Sequence, residues 1–241
     1  MEWLQKLFGK GVDNCAPASS EKVESEIAPD ADQVRRKDWA EAILKGQRIP
    51  INQYLPMIES ERETTIRSAQ EIAGRLLALA AVAGAASDNN RKAVEAYVGG
   101  TGVRQHFTLN EAEFFANPKP EKHAQIQFSW QYECAWVLMW ALHLVDDPLG
   151  FPDAPCDVDR VIEAVCTNDD LTTQGVRSKS EILDQADLIY RYHWAVRQAG
   201  LDGRDDPGGL HGGVVMERHR ALNWLVGYND EDDWDEVTTD T

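Results

Sequence analysis

Residues Phe128 to Val145, FSWQYECAWVLMWALHLV, place apolar side chains on every face of a helix, with Trp130, Trp136 and Trp140 within about three turns. A helix without a polar face has to be enclosed. Gln131, Glu133 and His143 interrupt the run, and Asp146 and Asp147 follow it directly, which are poor membrane flanks. The stretch therefore reads as the central helix of a soluble domain, extending as far as Val145. Glu133 precedes Trp136 and Val137 by one turn and shares their side, so its carboxylate is expected to be at least half buried. A buried carboxylate left alone is costly or protonated, and the fold has to supply a basic partner or hydrogen-bond donors.

The other segments predict helices around this one. Asp38 to Lys45 is a short helical stretch ended by Gly46, and the prolines of RIPINQYLP (Arg48 to Pro56) favour extended or turning backbone. Ile66, Ala69, Ala73, Leu76, Leu77 and Ala80 keep helical spacing in a long helix from about Glu61 to Ala86, whose alanines allow close packing. Shorter helices follow over Asn90 to Val98, from Thr108 to Phe115 and over Asp157 to Cys166. Thr108 with Glu111, and Ser178 with Glu181, have the spacing of capping boxes. The second of these opens a helix to about Ala199. Val214 to Val226 is the last helix, after a glycine-rich loop, and the tail from Asn229 to Thr241 is acidic around Trp234. No strand-period run exceeds a few residues and no repeat occurs. The expectation is an all-α, or nearly all-α, single domain over residues 38–241. A 1–37 extension precedes it, composed of a short amphipathic helix, Met1 to Lys10, and a linker.

Charge limits the partners. The 241 residues hold 41 acids and 24 bases, for a formal charge of -17, and phosphate backbones call for clustered Lys and Arg, so a nucleic-acid surface is not expected. An acidic chain suits a basic partner or none. Cys15, Cys134, Cys156 and Cys166 follow neither C-x-x-C nor a Cys/His ligand spacing and read as reduced thiols. No secretory signal and no convincing membrane span is found, which gives a cytoplasmic expectation.

Several ordered pieces together are similar to one family. They are IPINQYLPMIESE (Ile49 to Glu61), RSAQEIAGRLLAL (Arg67 to Leu79), LNEAEFF (Leu109 to Phe115) and SWQYECAWVLMWAL (Ser129 to Leu142). Further on come RSKSEILDQADLIYRYHWAVRQA (Arg177 to Ala199), ERHRALNWLVGY (Glu217 to Tyr228) and WDEVTTDT (Trp234 to Thr241). Over residues 47–241 the chain resembles the bacterial domain of unknown function 4272. The resemblance implies a compact, mainly helical domain and no assigned activity. The family pattern often has Arg after the first tryptophan of the central helix, where this chain has Gln131.

Two groups of residues are candidates for function. One is a polar set on the last two long helices together with Glu133: Asp184, Asp187, Arg191 and His193, then Glu217, Arg218, His219, Arg220 and Asn223. Asp187 and Arg191 stand at i, i+4 with the acid first, the favourable order for an ion pair. Arg218 shares a face with Val214, Ala221 and Leu225, so it is expected to turn inward and pair with Glu133 or Asp187, as a structural bridge or as part of a ligand site. The other group is the acidic tail, Asp230, Asp232, Asp233, Trp234 and Asp235, either a solvated tail, a segment docked through Trp234 or a face for a basic partner. The loop PGGLHGGVVMERHR (Pro207 to Arg220) lacks the spacing of a dinucleotide or phosphate loop and reads as a tight turn before an anion site. No H-E-x-x-H, E-x-x-H, calcium-loop or nucleophile-elbow motif is found, so no metal, cofactor or catalytic residue is expected. The functional expectation is a non-enzymatic acidic binding protein, possible in the form of an inhibitor or immunity-type protein for a basic partner. The alternatives are a small-molecule enzyme or ligand site built on the polar set, and an architectural subunit.

Overall fold

The computed structural model describes residues 28–87, 91–145 and 149–241. The expected helix from Met1 to Lys10, Cys15, most of the linker, and Asp146 and Asp147 lie outside those residues. Among the described residues the chain forms nine α-helices, four short 3-10 turns and no strand, so the domain is all α.

The helices are α1 (Ala31–Gly46), α2 (Ala69–Ala86), α3 (Arg91–Gly100), α4 (Leu109–Ala116), α5 (Lys122–Ser129), α6 (Gln131–Ala141), α7 (Val158–Thr167), α8 (Lys179–Leu201) and α9 (Gly212–Val226). Every residue of α6 except Trp136 is buried, as a helix that is apolar all round requires. It lies against α2 and α9, with α8 packed on α9, α1 on α8, and α7 touching both α2 and α6. The alanines of α2 give close approach on nearly all sides, and fourteen of its residues are buried. A smaller apolar cluster, with Val82, Val98, Phe114 and Phe115, joins α2 to α3 and α4. α2 is the one helix among the described residues that is long and apolar enough to cross a membrane, and 78% of it is buried in protein.

Three elements depart from the sequence expectation. The central helix is not continuous from Phe128 to Val145. At Trp130 the bonding tightens, with Trp130 N–H donating to Gln127 C=O and Glu133 N–H to Trp130 C=O, which separates α5 from α6. The helix then ends at Ala141, short of Val145, and His143 takes a left-handed conformation (φ 58°). Its last carbonyls find a partner in the next part of the chain. Arg177 donates from Nε to Trp140 C=O (2.7 Å) and from its backbone N–H to Ala141 C=O (2.9 Å), while its guanidinium stacks over the Trp140 ring.

The second departure is α2, which begins at Ala69, eight residues after the expected Glu61. Ser68 and Glu71 form a capping box there, with Glu71 Oε2 accepting the Ser68 N–H at 2.8 Å and Ser68 Oγ accepting the Glu71 N–H at 3.3 Å. The third is α1, which starts at Ala31, ahead of Asp38. An i, i+4 pair of Asp32 and buried Arg36 (2.8 Å) reinforces its first turns. The boxes at Thr108 with Glu111 and at Ser178 with Glu181 are present as the spacing predicts.

The backbone released by the late start of α2 is held by side chains from its neighbours. Gln33 donates to Ile58 C=O (2.7 Å), Arg36 to Glu59 C=O (3.2 Å), and Lys179 to the carbonyls of Glu61 (2.8 Å) and Thr64 (2.6 Å). Residues 56–68 thus run as an irregular but fully anchored segment beside the C-terminal end of α9.

Candidate binding cleft

The chain beyond α9 turns back on that segment. Gly227 (φ 66°), Asn229 (φ 58°) and Asp230 (φ 55°) are all left-handed, a conformation that costs L-residues energy and persists only where the surroundings impose it. Arg67 joins the two strands of chain. Its backbone N–H donates to Leu225 C=O (3.2 Å), Nε to Trp224 C=O (3.1 Å), Nη2 to Glu231 C=O (2.7 Å) and Nη1 to Asp232 (2.6 Å).

Between them lies a cleft of about 620 Å³ lined by Glu59, Glu63, Glu71, Asp230 and Asp232, with Arg67 as its one basic residue. That guanidinium is already committed to Asp232 and two carbonyls, so the open charge is negative. Ser60 and Ser68 hydrogen bonds hold the Glu63 and Glu71 carboxyls below the usual carboxylate range, which keeps both ionised. Glu59 and Asn229 also line a second pocket of about 260 Å³, which continues inward to Tyr190, His219, Asn223, Tyr228 and Asp240.

The expected polar set is divided into separate sealed contacts. Glu133 is 2% exposed. It accepts Arg218 Nε at 3.2 Å and the Cys156 backbone N–H, and Arg218 also donates to Gly150 C=O (3.1 Å). Arg218 thus selects Glu133 and not Asp187. Asp187 and Arg191 form a buried two-pronged pair on α8 (2.8 and 2.9 Å). Asp184 faces elsewhere, to Arg35 at 2.8 Å. Glu217 accepts the Cys134 Sγ–H at 3.3 Å, and burial raises both groups above their ordinary values, leaving an inert thiol. His193 and His219 share one Nδ1···Nδ1 hydrogen bond of 2.8 Å, and Asn223 Nδ2 donates to Thr238 C=O (2.9 Å). Of this set, His219 and Asn223 reach the pocket beside the acidic cleft, and Arg218 touches a separate apolar one near Trp39 and Phe151.

The tail is docked and not a solvated end. Trp234 is 2% exposed, packed edge-on against Trp224 (5.7 Å) between the guanidinium groups of Arg75 and Arg220. It is therefore not available to a partner in this arrangement. Asp230, Asp232 and Asp233 remain exposed, and Asp235 accepts the Asn110 N–H at 3.2 Å. The glycine-rich loop binds its own acid. Asp206 accepts the Gly212 N–H (2.7 Å) at the start of α9, so the anion position of that helix is filled from within the chain. Gly208 is left-handed (φ 64°), and a side-chain carbon there would lie 2.4 Å from Ile49.

Sequence reasoning missed Glu59, Glu63, Glu71 and Arg67. The acid density of IESERETT was visible, but a helix drawn from Glu61 dispersed those side chains around a cylinder. The serines before Glu63 and Glu71 were the available signal for irregular, capped backbone.

A family profile described as Domain of unknown function (DUF4272) matches residues 25–237. The chain belongs to the DUF4272 family. The match extends the resemblance upstream to include α1, and it takes in both walls of the cleft. Searches of the curated proteins and of the solved structures returned no match. Within this DUF4272 domain Gln131 is buried at 5% exposure.

Proposed function

We propose that this DUF4272 protein is a non-enzymatic, cytoplasmic binding protein whose acidic cleft receives a basic partner, in the manner of an inhibitor or immunity-type protein. The observation that carries the reading is the cleft itself. Five carboxylates surround about 620 Å³ of open space, and the single guanidinium among them is neutralised by Asp232 and by backbone carbonyls. A walled acidic concavity concentrates field lines and favours a cationic group over any other ligand. The left-handed Asn229 and Asp230 on its rim add support, since backbone strain of this kind collects at binding sites.

A small-molecule site on the polar set is the second reading. Its support is confined to His219 and Asn223, because Glu133, Asp187 and Arg191 are sealed and paired.

Affinity capture with the tagged full-length chain at low and high salt tests the first reading, with the double variant Glu59→Gln, Asp230→Asn alongside. Asn tolerates the left-handed conformation at position 230, so the variant removes charge without disturbing the turn. A basic protein retained at low salt, weakened at high salt, lost with the variant and rebinding when purified supports the reading. Partners that ignore both salt and the variant contradict it.

A further inference from the structure

The inner pocket contains two buried side chains whose acceptor atoms are not used by the protein. His219 is 2% exposed and Asn223 is 6% exposed, and they stand at i, i+4 on α9, so both face the same cavity of about 260 Å³. Asn223 spends its amide donor on Thr238 C=O, which fixes the orientation of the group and leaves Oδ1 as an acceptor. His219 spends Nδ1 on His193, and among the described residues Nε2 has no hydrogen-bond partner. The shared Nδ1···Nδ1 contact of 2.8 Å holds one proton between two neutral rings. When His219 donates it, Nε2 of His219 carries a lone pair.

The rest of the lining fits a cation. The Tyr190 ring lies against His219 at 5.9 Å between centroids, and Tyr228 also lines the pocket. Glu59 and Asp240 supply the countercharge. Burial raises the Tyr228 hydroxyl above its ordinary value, Asp240 and Glu59 add to the rise, and Thr238 Oγ1 donates to Asp240 at 2.9 Å. The acceptors are single and divergent: one imidazole nitrogen, one amide oxygen and two separate carboxylates. The two-pronged acceptors that a guanidinium prefers, the Glu59 and Asp240 carboxylates, belong to exposed residues, whereas the acceptors of the buried residues, His219 Nε2 and Asn223 Oδ1, are single atoms that suit the point donors of an ammonium.

We propose that the pocket of Tyr190, His219, Asn223, Tyr228, Glu59 and Asp240 is a receptacle for an alkylammonium group, the ε-ammonium of a lysine presented by the basic partner. The assignment rests on the acidic-cleft reading for the partner. The ammonium donates to His219 Nε2 and Asn223 Oδ1, its positive charge lies between the two carboxylates, and its methylene stem passes between the tyrosines. Binding selects the tautomer in which His219 holds the shared proton on Nδ1. A free amine has the same chemistry as a lysine side chain, and the probes below separate the two sources.

The test is nuclear magnetic resonance of the full-length protein, following the imidazole nitrogens of His219 during titration with three probes. They are N-acetyl-lysine methylamide, its uncharged counterpart N-acetyl-norleucine methylamide, and n-butylamine. The expected result is a saturable shift of His219 with the blocked lysine, to the tautomer protonated on Nδ1, no response to the norleucine compound, and at least several-fold weaker binding in Asp240→Asn. Asp240 is exposed near the chain end, so this variant leaves the fold intact. Weaker binding of butylamine supports a peptide lysine as the occupant, and tighter binding of butylamine overturns that source in favour of a free amine. No saturable shift, or an equal response to norleucine, overturns the pocket. An octalysine peptide in the same samples separates the two proposals. If it binds in a salt-sensitive way while blocked lysine leaves His219 unmoved, the pocket assignment fails and the cleft reading survives. If octalysine fails to bind and blocked lysine succeeds, the opposite holds.

Discussion

At the scale of single residues, Glu133 with Arg218 and Asp187 with Arg191 are buried ion pairs, and the first makes a definite demand. Glu133 and Arg218 join α6 to α9 at 3.2 Å with both side chains almost fully buried. Arg218→Met leaves the Glu133 carboxylate without its cation and is expected to cost about 3–5 kcal/mol in urea unfolding, whereas Glu133→Leu combined with Arg218→Met recovers most of that loss. An equal loss in the double variant would show that packing, and not the stranded charge, sets the cost. The histidine pair gives a pH dependence with a fixed sign. Burial pushes His193 down to about 4 and His219 to about 3, from an ordinary 6.5, with Arg197 acting on His193 and His193 on His219. The unfolded chain binds these protons more readily, so the contribution is complete above about pH 6.5 and is lost as pH falls toward 4 and then 3. His193 alone accounts for roughly 3 kcal/mol of that loss at about 1.4 kcal/mol per pH unit. Glu217, raised by burial, acts in the opposite direction, gaining stability as pH falls through its folded value. Asp32, Glu63 and Glu71 are lowered and lose stability only in the acid range of carboxylates. Between about pH 7 and pH 5 His106, lowered by burial, acts with the same sign and Glu217 with the opposite one, so the pair is read as a difference: urea unfolding of His193→Gln, His219→Gln should lose less stability over that range than the parent protein.

At the scale of elements, local signals decided where helices start and tertiary contacts decided where they stop. The boxes at Thr108 and Ser178 were legible because a helix N-terminus satisfies its donors with nearby residues. The end of α6 was not, because its last carbonyls are taken by Arg177, more than thirty residues further on. The start of α2 was misread for a related reason. Ile66 keeps helical spacing with the residues after it, yet Ser68 and Glu71 close the helix below it. Ser68→Ala is expected to lower stability by about 1 kcal/mol in thermal or urea unfolding. The tail behaves as a strap, since Trp234 is held in the core and the exposed acids around it are not. Trp234→Ala should cost about 3–5 kcal/mol and raise amide exchange through residues 228–241, including both Asp230 and Asp232 of the cleft. Unchanged exchange there would mean that Arg67 alone fixes the tail.

At the scale of the whole molecule, the apolar run from Phe128 was enough to place a buried helix at the centre of an all-α domain, because a helix with no polar face has one solution in a soluble protein. It was also enough to require a basic partner or hydrogen-bond donors for Glu133, which has Arg218 and the Cys156 N–H. The cleft was not legible, because its walls lie within residues 59–71 and 226–232, far apart in sequence and mostly outside the α-helices, and neither has a period to read. The acids of the tail were singled out by charge alone, and their meaning changes once Arg67 lays them beside Glu59, Glu63 and Glu71. A net charge of -17 spread over the surface would attract a cation everywhere, whereas a cleft attracts it at one place. Titration calorimetry of octalysine into the full-length protein, at a series of salt concentrations, separates these cases most directly. The account predicts one saturable site whose affinity falls with salt and drops at least tenfold in Glu59→Gln, Asp230→Asn. Binding that is multiple and unsaturated, or that is unchanged in the double variant while still falling with salt, would contradict the cleft as the recognition site.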